Sequence, residues 1–192
     1  IAFAILATWV NYLSACLTLG ATLFYVLIYT KWLKRTTTQN IVIGGAAGAI
    51  PPVVGWAAIT GGLGLPALYL FTIIFFWTPP HFWALSLLIQ GDYERAEVPM
   101  LPVVKGIPAT TKNIFLYTVI LVTITMLFFT IGTVGLLYLF GATILGSIFL
   151  YMSYSLMRSS GNRSARNLYL YSLLYLALMF GFIMVDSSWH LI

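Results

Sequence analysis

Nine lysines and arginines and four aspartates and glutamates are all the charge in this 192-residue chain, and they leave residues 1–30, 36–91, 113–157 and 167–185 uncharged. Only 7% of residues are charged, against about 25% in an ordinary soluble domain. With a mean hydropathy of +0.99, such a chain cannot clothe a water-facing surface. A membrane-crossing helix needs about 20 apolar residues, so 36–91 and 113–157 are each long enough for two. In lipid the backbone must satisfy its own hydrogen bonds, which leaves only helices and closed barrels. Unbroken apolar segments of this length exclude the short alternating strands of a barrel. The fold class is therefore all-α, a polytopic transmembrane helical bundle.

Turn residues divide the long intervals. The glycines and proline of 61–66, and Gly132 with Gly135, mark where 36–91 and 113–157 fold back. The first interval is too long for one span and too short for two, and Asn11 is its best turn. These breaks predict the end of a helix at 1–11 and full spans near 13–31, 39–60, 66–90, 113–131, 135–157 and 167–186. All 192 residues read as a single transmembrane domain. Because the chain opens inside an apolar helix, it reads as part of a longer bundle whose N-terminal helices precede it.

Every basic residue falls on alternate loops. Lys31, Lys34 and Arg35 share one, Arg95, Lys105 and Lys112 the next, and Arg158, Arg163 and Arg166 the third. Basic loops stay on the cytoplasmic side, or on the matrix side in an organelle. The sequence pI near 9.4 therefore reports topology and attraction to an anionic bilayer surface, not nucleic-acid binding. Cys16 is alone, which excludes a disulfide framework or thiolate metal site. Residues 1–11 lack the charged start and cleavage site of a signal peptide. His190 reads as an interfacial residue.

Four clusters carry chemistry. Lys34 and Arg35 end a span bearing Tyr25 and Tyr29 one helical turn apart, just before the next helix begins at Asn40. That arrangement suits a phosphorylated headgroup, and it equally suits a plain topology anchor. Gly44, Gly45 and Gly48 with Pro51 and Pro52 allow close helix approach and a break in the intramembrane ladder, a combination that favours a pocket wall. His81 follows Pro79 and Pro80 among Trp77, Phe82 and Trp83. A histidine there can ligate iron, bond a carboxylate, act as a base, or simply rest on a carbonyl freed by the prolines. Asp92, Glu94 and Glu97 can hold Mg²⁺ with phosphate oxygens, or solvate a loop and pair with Arg95; Pro99, Pro102 and Pro108 stiffen that loop.

Together these motifs carry a resemblance. Tyr29-Thr30, Leu33-Lys34-Arg35, Thr37, Asn40-Ile41-Val42-Ile43-Gly44-Gly45, Ala47-Gly48-Ala49, Pro51-Pro52 and Gly55-Trp56 resemble the protohaem IX farnesyltransferase (haem O synthase) family. So do Trp77, Pro79-Pro80-His81-Phe82 and Ala84-Leu85, and then Asp92-Tyr93, Ala96 and Pro99-Met100-Leu101-Pro102-Val103-Val104. By them the chain is identified as a member of the UbiA-type intramembrane prenyltransferase superfamily. The resemblance covers essentially the whole chain. It implies a UbiA-like fold of nine helices around a central cavity, of which this chain supplies the end of the third and the fourth to ninth.

The implied reaction is transfer of a farnesyl group from farnesyl diphosphate to a vinyl group of haem b, with hydration to give haem O. Mg²⁺ accompanies the diphosphate, and the family's first aspartate-rich motif, its main metal site, is absent here, so this stretch alone is expected to be inactive. The resemblance assigns His81 and Asp92 to catalysis, Asp92 also to the metal. It assigns Tyr29, Lys34, Arg35 and Asn40 to substrate binding, together with Trp77, Trp83, Tyr93 and Arg95. It implies a bacterial plasma membrane or mitochondrial inner membrane, and haem A synthase or a terminal-oxidase assembly as partners. Two other functions fit the composition. One is a prenyltransferase for a quinone or chlorophyll precursor, against which the Pro80-His81 and Pro99–Pro102 motifs argue. The other is a non-catalytic membrane haem carrier, which would more often show charges at the membrane midplane.

Overall fold

The computed structural model of the chain describes residues 1–159 and 161–190, the last three by backbone only, so the side chain of His190 lies outside the described residues. Every regular element is helical. After α1 (Ala2–Trp9), α2 (Tyr12–Leu23) continues without a break into a wider π-helical segment, Phe24–Leu33, and a final turn, Lys34–Thr36. Then come α3 (Asn40–Gly48), α4 (Ile50–Thr60), α5 (Leu65–Leu88), α6 (Gln90–Arg95), α7 (Leu101–Phe128), α8 (Leu136–Ser159) and α9 (Asn162–His190). Six stretches are long and apolar enough to cross a membrane: Tyr12–Thr36, Asn40–Thr60, Leu65–Leu88, Leu101–Ile131, Leu136–Ser159 and Asn162–Ser187.

Local chemistry sets the ends. Asn11 is the turn: its Oδ1 accepts from Ser14 N at 2.8 Å, capping α2, while its Nδ2 donates to Ala57 O at 2.7 Å and ties that end to α4. Gly61 closes α4 in the left-handed conformation, φ 70°, which costs a residue without a Cβ nothing. Pro51 and Pro66 sit in the first turns of α4 and α5, where a missing N–H is harmless. Pro79 and Pro80 lie inside α5, which runs through them for 24 residues.

One boundary differs substantially from the sequence expectation. The span expected at 113–131 starts at Leu101, because Lys105 and Lys112 lie on the helix rather than before it. Gly106, with φ 79° and ψ 170°, breaks α7 near its start, and Pro108 opens the longer part. Long basic side chains at a helix end reach the interface along their own stems, so charge alone places the boundary too late.

Helices α5, α7, α8 and α9 form a closed ring, each packed on two others of the ring, while α3 and α4 also pack on α5 and α2 packs on α4 and α3. The core follows the ring, with Ile73, Ile114, Leu121, Phe149 and Leu168 all fully buried. Glycine permits the tightest approach. A Cβ on Gly141 would stand 2.6 Å from the Phe182 ring, which joins α8 to α9. Asp186, a buried carboxylate of α9, accepts from the backbone N–H groups of Gly135 and of Tyr138, the latter at 3.0 Å. It neutralises the positive end of α8. Alternating spans bring the three basic loops to one end of the bundle.

Candidate functional site

A cavity of about 660 Å³ lies between α2, the α3–α4 pair and α5. Its existence follows from small residues. Gly44, Gly45, Ala47 and Gly48 form one wall, with Pro51 just beyond the helix break at Ala49. Tyr25 and Tyr29 face them from the π-helical segment, their rings 5.3 Å apart. That segment is wound with five-residue spacing, and Thr30 Oγ1 accordingly donates to Tyr25 O at 3.0 Å. Tyr29 rests directly on Gly44, where any Cβ would collide with its ring. From α5 come Ile74, Trp77, Thr78 and Phe82.

The threonine hydroxyls that line this cavity each donate to their own helix. Thr18 Oγ1 donates to Ser14 O, Thr22 Oγ1 to Thr18 O and Thr78 Oγ1 to Ile74 O, each at 2.8 Å. Trp77 Nε1 donates away from the cavity, to Ser172 O at 2.7 Å. Tyr25 and Tyr29, near the basic end, have hydroxyls without a hydrogen-bond partner among the described residues.

At that end lie Lys34 and Arg35, both exposed and without an ion-pair partner among the described residues. Asn40, fully buried, donates from Nδ2 to Lys34 O at 3.4 Å and leaves Oδ1 unpartnered. It fixes the turn that presents the two cations. Tyr93 stands within electrostatic range of Tyr29, which brings the loop after α5 to the same region. Partial burial pushes the Tyr93 phenol above its ordinary value, so it is a neutral donor at physiological pH. Asp92 pairs with Arg95 on the exposed face of α6, a screened contact worth about 0–1 kcal/mol.

His81 occupies a different place. It is 6% exposed and lies behind Trp77 rather than on the cavity wall. Its ring is stacked between Trp77, at 4.3 Å, and Tyr169 of α9, at 4.8 Å. Its Nδ1 lies 2.7 Å from Ser172 Oγ. Ser172 Oγ donates to Tyr169 O at 2.6 Å, so its proton is committed and it accepts from Nδ1–H. The lone pair then resides on Nε2. Trp83 is 2% exposed, turned toward Tyr117 of α7 at 5.2 Å, with Nε1 unpartnered.

Of the residues expected to bind substrate, Tyr29 and Trp77 line the cavity; Lys34 and Arg35 follow Tyr29 on the same helix, Asn40 bonds their turn, and Tyr93 lies within electrostatic range of Tyr29. The structure places His81 and Trp83 in the helix interfaces behind α5, and Asp92 and Arg95 on an exposed helix. Among the described residues no three His, Cys, Asp or Glu side chains converge, and the carboxylate of Asp92 is already paired. These residues alone do not make a Mg²⁺ site. Sequence reasoning missed Ser172 and Tyr169, whose only signal was a serine inside an apolar span, and the lining threonines Thr18 and Thr22.

Residues 1–185 match a family described as UbiA prenyltransferase family. A protoheme IX farnesyltransferase of Gloeobacter violaceus is 53% identical over 186 residues, covering 96% of this chain and 61% of that protein. One from Roseiflexus castenholzii is 55% identical over 188 residues, 98% of this chain and 35% of its own length. One from Picosynechococcus is 50% identical over 189 residues, 97% of this chain and 60% of its own. The chain therefore spans about one third to three fifths of these relatives. A solved structure from a study of digeranylgeranylglyceryl phosphate synthase in membranes superimposes with a TM-score of 0.82 at 16% identity, over 95% of this chain and 64% of that one. At that identity the match speaks to the fold.

Proposed function

Because this chain belongs to the UbiA prenyltransferase family, a family of multi-pass membrane proteins here represented by six membrane-length helices, we infer that the whole protein is a haem O synthase. It transfers a farnesyl group from farnesyl diphosphate to a vinyl group of haem b. The observation that carries this reading is 50–55% identity to proteins named protoheme IX farnesyltransferase across nearly the whole chain. An apolar cavity with a cationic rim supports it independently. A quinone-precursor prenyltransferase or a haem carrier has no comparable support.

The chemistry follows from charge. The bond between the allylic carbon and the diphosphate oxygen breaks, leaving a carbocation and an anionic leaving group. Lys34 and Arg35 stabilise that developing negative charge at the rim, with the Tyr29 and Tyr93 hydroxyls as neutral donors and Asn40 holding the turn. The faces of Tyr25, Tyr29, Trp77 and Phe82 stabilise the cation and exclude water from it. The terminal vinyl carbon of haem b then bonds to the farnesyl carbon. Water adds to the inner vinyl carbon and loses a proton, leaving a hydroxyl group. Mg²⁺ bound with the diphosphate would neutralise part of its charge, and Asp92 is the residue of this chain that would help to hold it, with Arg95 beside it.

His81 serves the haem. With Nδ1 fixed by Ser172, Nε2 offers a lone pair, which suits an iron ion and not an ionised propionate. Trp83 lies two positions on, packed against Tyr117 of α7. The protein resides in the bacterial plasma membrane, or the mitochondrial inner membrane in a eukaryote, with its basic loops on the cytoplasmic or matrix side. Haem A synthase or a terminal-oxidase assembly is the partner that would take the product. Incubating the purified full-length enzyme with haem b, farnesyl diphosphate and Mg²⁺ tests the reading. A product heavier than haem b by one farnesyl group and one hydroxyl supports it; recovery of unchanged haem b from well-folded enzyme overturns it.

A further inference from the structure

The seam where α5 packs on α9 carries a second recess, apart from the cavity described above. On α9 it is lined by Asn162, Arg163, Arg166, Asn167 and Leu170, and on α5 by Leu88. Arg163, Arg166, Asn167 and Leu170 stand at positions i, i+3, i+4 and i+7, one stripe of the helix. Leu88 follows His81 by seven positions on the same face of α5, about 10 Å nearer the basic end. Leu170 is the chain neighbour of Tyr169, whose ring stacks on His81 at 4.8 Å. The recess therefore begins beside the His81 stack and runs to the first turn of α9.

Its charge is unbalanced. Neither arginine has an ion-pair partner among the described residues, and the amides of Asn162 and Asn167 have no hydrogen-bond partner there. Of the four carboxylates in the chain, Asp92 is paired with Arg95 and Asp186 caps α8. Glu94 and Glu97 are exposed and make no salt bridge. The free N–H groups in the first turn of α9 add to the positive potential. Two guanidinium groups one turn apart, with Cβ atoms about 5–6 Å from each other, suit two carboxylates held side by side, because each planar fork takes one carboxylate. Leu170, on the His81 side of the arginines, supplies apolar surface. A flat apolar body with a metal at its centre and two acids on one edge answers to all of these features, and haem b is such a molecule. A phospholipid headgroup would answer to the arginines alone.

We propose that Arg163 and Arg166 bind the two propionates of haem b, so that the acceptor lies along the α5–α9 seam with its acidic edge at the basic end of the bundle. The proposal rests on the function inferred above. It separates the anions of the two substrates. The diphosphate of the donor belongs to Lys34 and Arg35, at the end of the span that begins with α2, and the carboxylates of the acceptor belong to the start of α9.

The test is a Soret-band titration of the purified full-length enzyme with haem b and with its dimethyl ester, in which both propionates are neutral. Arg163→Gln combined with Arg166→Gln is expected to weaken haem b binding at least about tenfold, as loss of charge-assisted hydrogen bonds should. Affinity for the dimethyl ester should not change. Arg163→Lys combined with Arg166→Lys keeps the charges and should recover part of the haem b affinity. Equal haem b affinity in the wild type and the glutamine variant overturns the proposal. Equal loss of haem b and ester also overturns it, because the arginines would then only support the fold. So does loss of co-purified phosphatidylglycerol, or a raised farnesyl diphosphate requirement, with haem b affinity intact; the arginines would then serve lipid or the donor. Each of these results leaves the haem O synthase assignment standing. Failure of the wild type to bind haem b at all removes that assignment and the proposal together.

Discussion

His81 and Ser172 meet at 2.7 Å across 91 residues of sequence, and this bond joins α5 to α9 at the point where two prolines interrupt the ladder of α5. Trp77 reaches the same residue, donating to the Ser172 carbonyl, so one serine anchors both the histidine and an aromatic ring of the cavity wall. Removing its hydroxyl leaves a buried N–H unpaired, which costs about 1–3 kcal/mol. Ser172→Ala is therefore expected to lower the thermal midpoint of the detergent-solubilised full-length enzyme and reduce its haem O yield. Ser172→Thr, which keeps the hydroxyl, should recover most of both. An alanine variant as stable and active as the wild type would show that the bond does not position His81.

His81→Ala is expected to abolish or severely reduce haem O formation while membrane insertion persists. Iron ligation through Nε2 would shift the Soret band of bound haem in the wild type, and the variant would lose that shift. Normal haem O yield at equal expression would leave His81 as a satisfied helix-interface residue.

Lys34 and Arg35 are expected to act on the diphosphate. Arg35→Ala and Lys34→Ala should each raise the farnesyl diphosphate concentration needed for half-maximal rate by roughly tenfold, equivalent to about 1.4 kcal/mol, with haem affinity unchanged. Unaltered donor dependence in both variants would make them topology anchors only.

Gly44 and Tyr29 offer a steric test of the wall. Gly44→Ala places a methyl group against the Tyr29 ring, and such overpacking costs about 1–3 kcal/mol. The drop in thermal midpoint of Gly44→Ala in the detergent-solubilised full-length enzyme should be partly relieved by Tyr29→Leu, which vacates the space. If the second change adds to the damage instead, the two residues do not share one contact.

The six spans were largely legible because charge is excluded from lipid so strictly, and Asn11 was legible as a turn because an amide in an apolar run must bond something. Leu101 was not, since Lys105 and Lys112 mask a helix that begins before them. The rim was visible in Lys34 and Arg35, which are adjacent in sequence. Ser172 and Tyr169 were not, because His81 finds its partners only when distant helices pack. Asp186 was not legible either: it caps α8 by accepting from the Gly135 and Tyr138 backbone N–H groups, which lie about 50 residues earlier in sequence.

Orientation is open to direct labelling. In a Cys16→Ala background, Gly62→Cys should react with an impermeant thiol reagent added to intact cells, and Glu94→Cys should not. Reaction of Glu94→Cys from outside would invert the topology and put Lys34 and Arg35 on the wrong side for a cytoplasmic diphosphate.

The most direct measurement is haem extraction from a strain that lacks haem O synthase and expresses the full-length gene to which this chain belongs. Haem O, identified by retention time and mass, is the expected product, and its yield should fall about tenfold in Arg35→Ala at limiting farnesyl diphosphate, matching the tenfold higher donor requirement. Accumulation of haem b alone, with the protein abundant and correctly inserted, would contradict the assignment of this cavity to haem farnesylation.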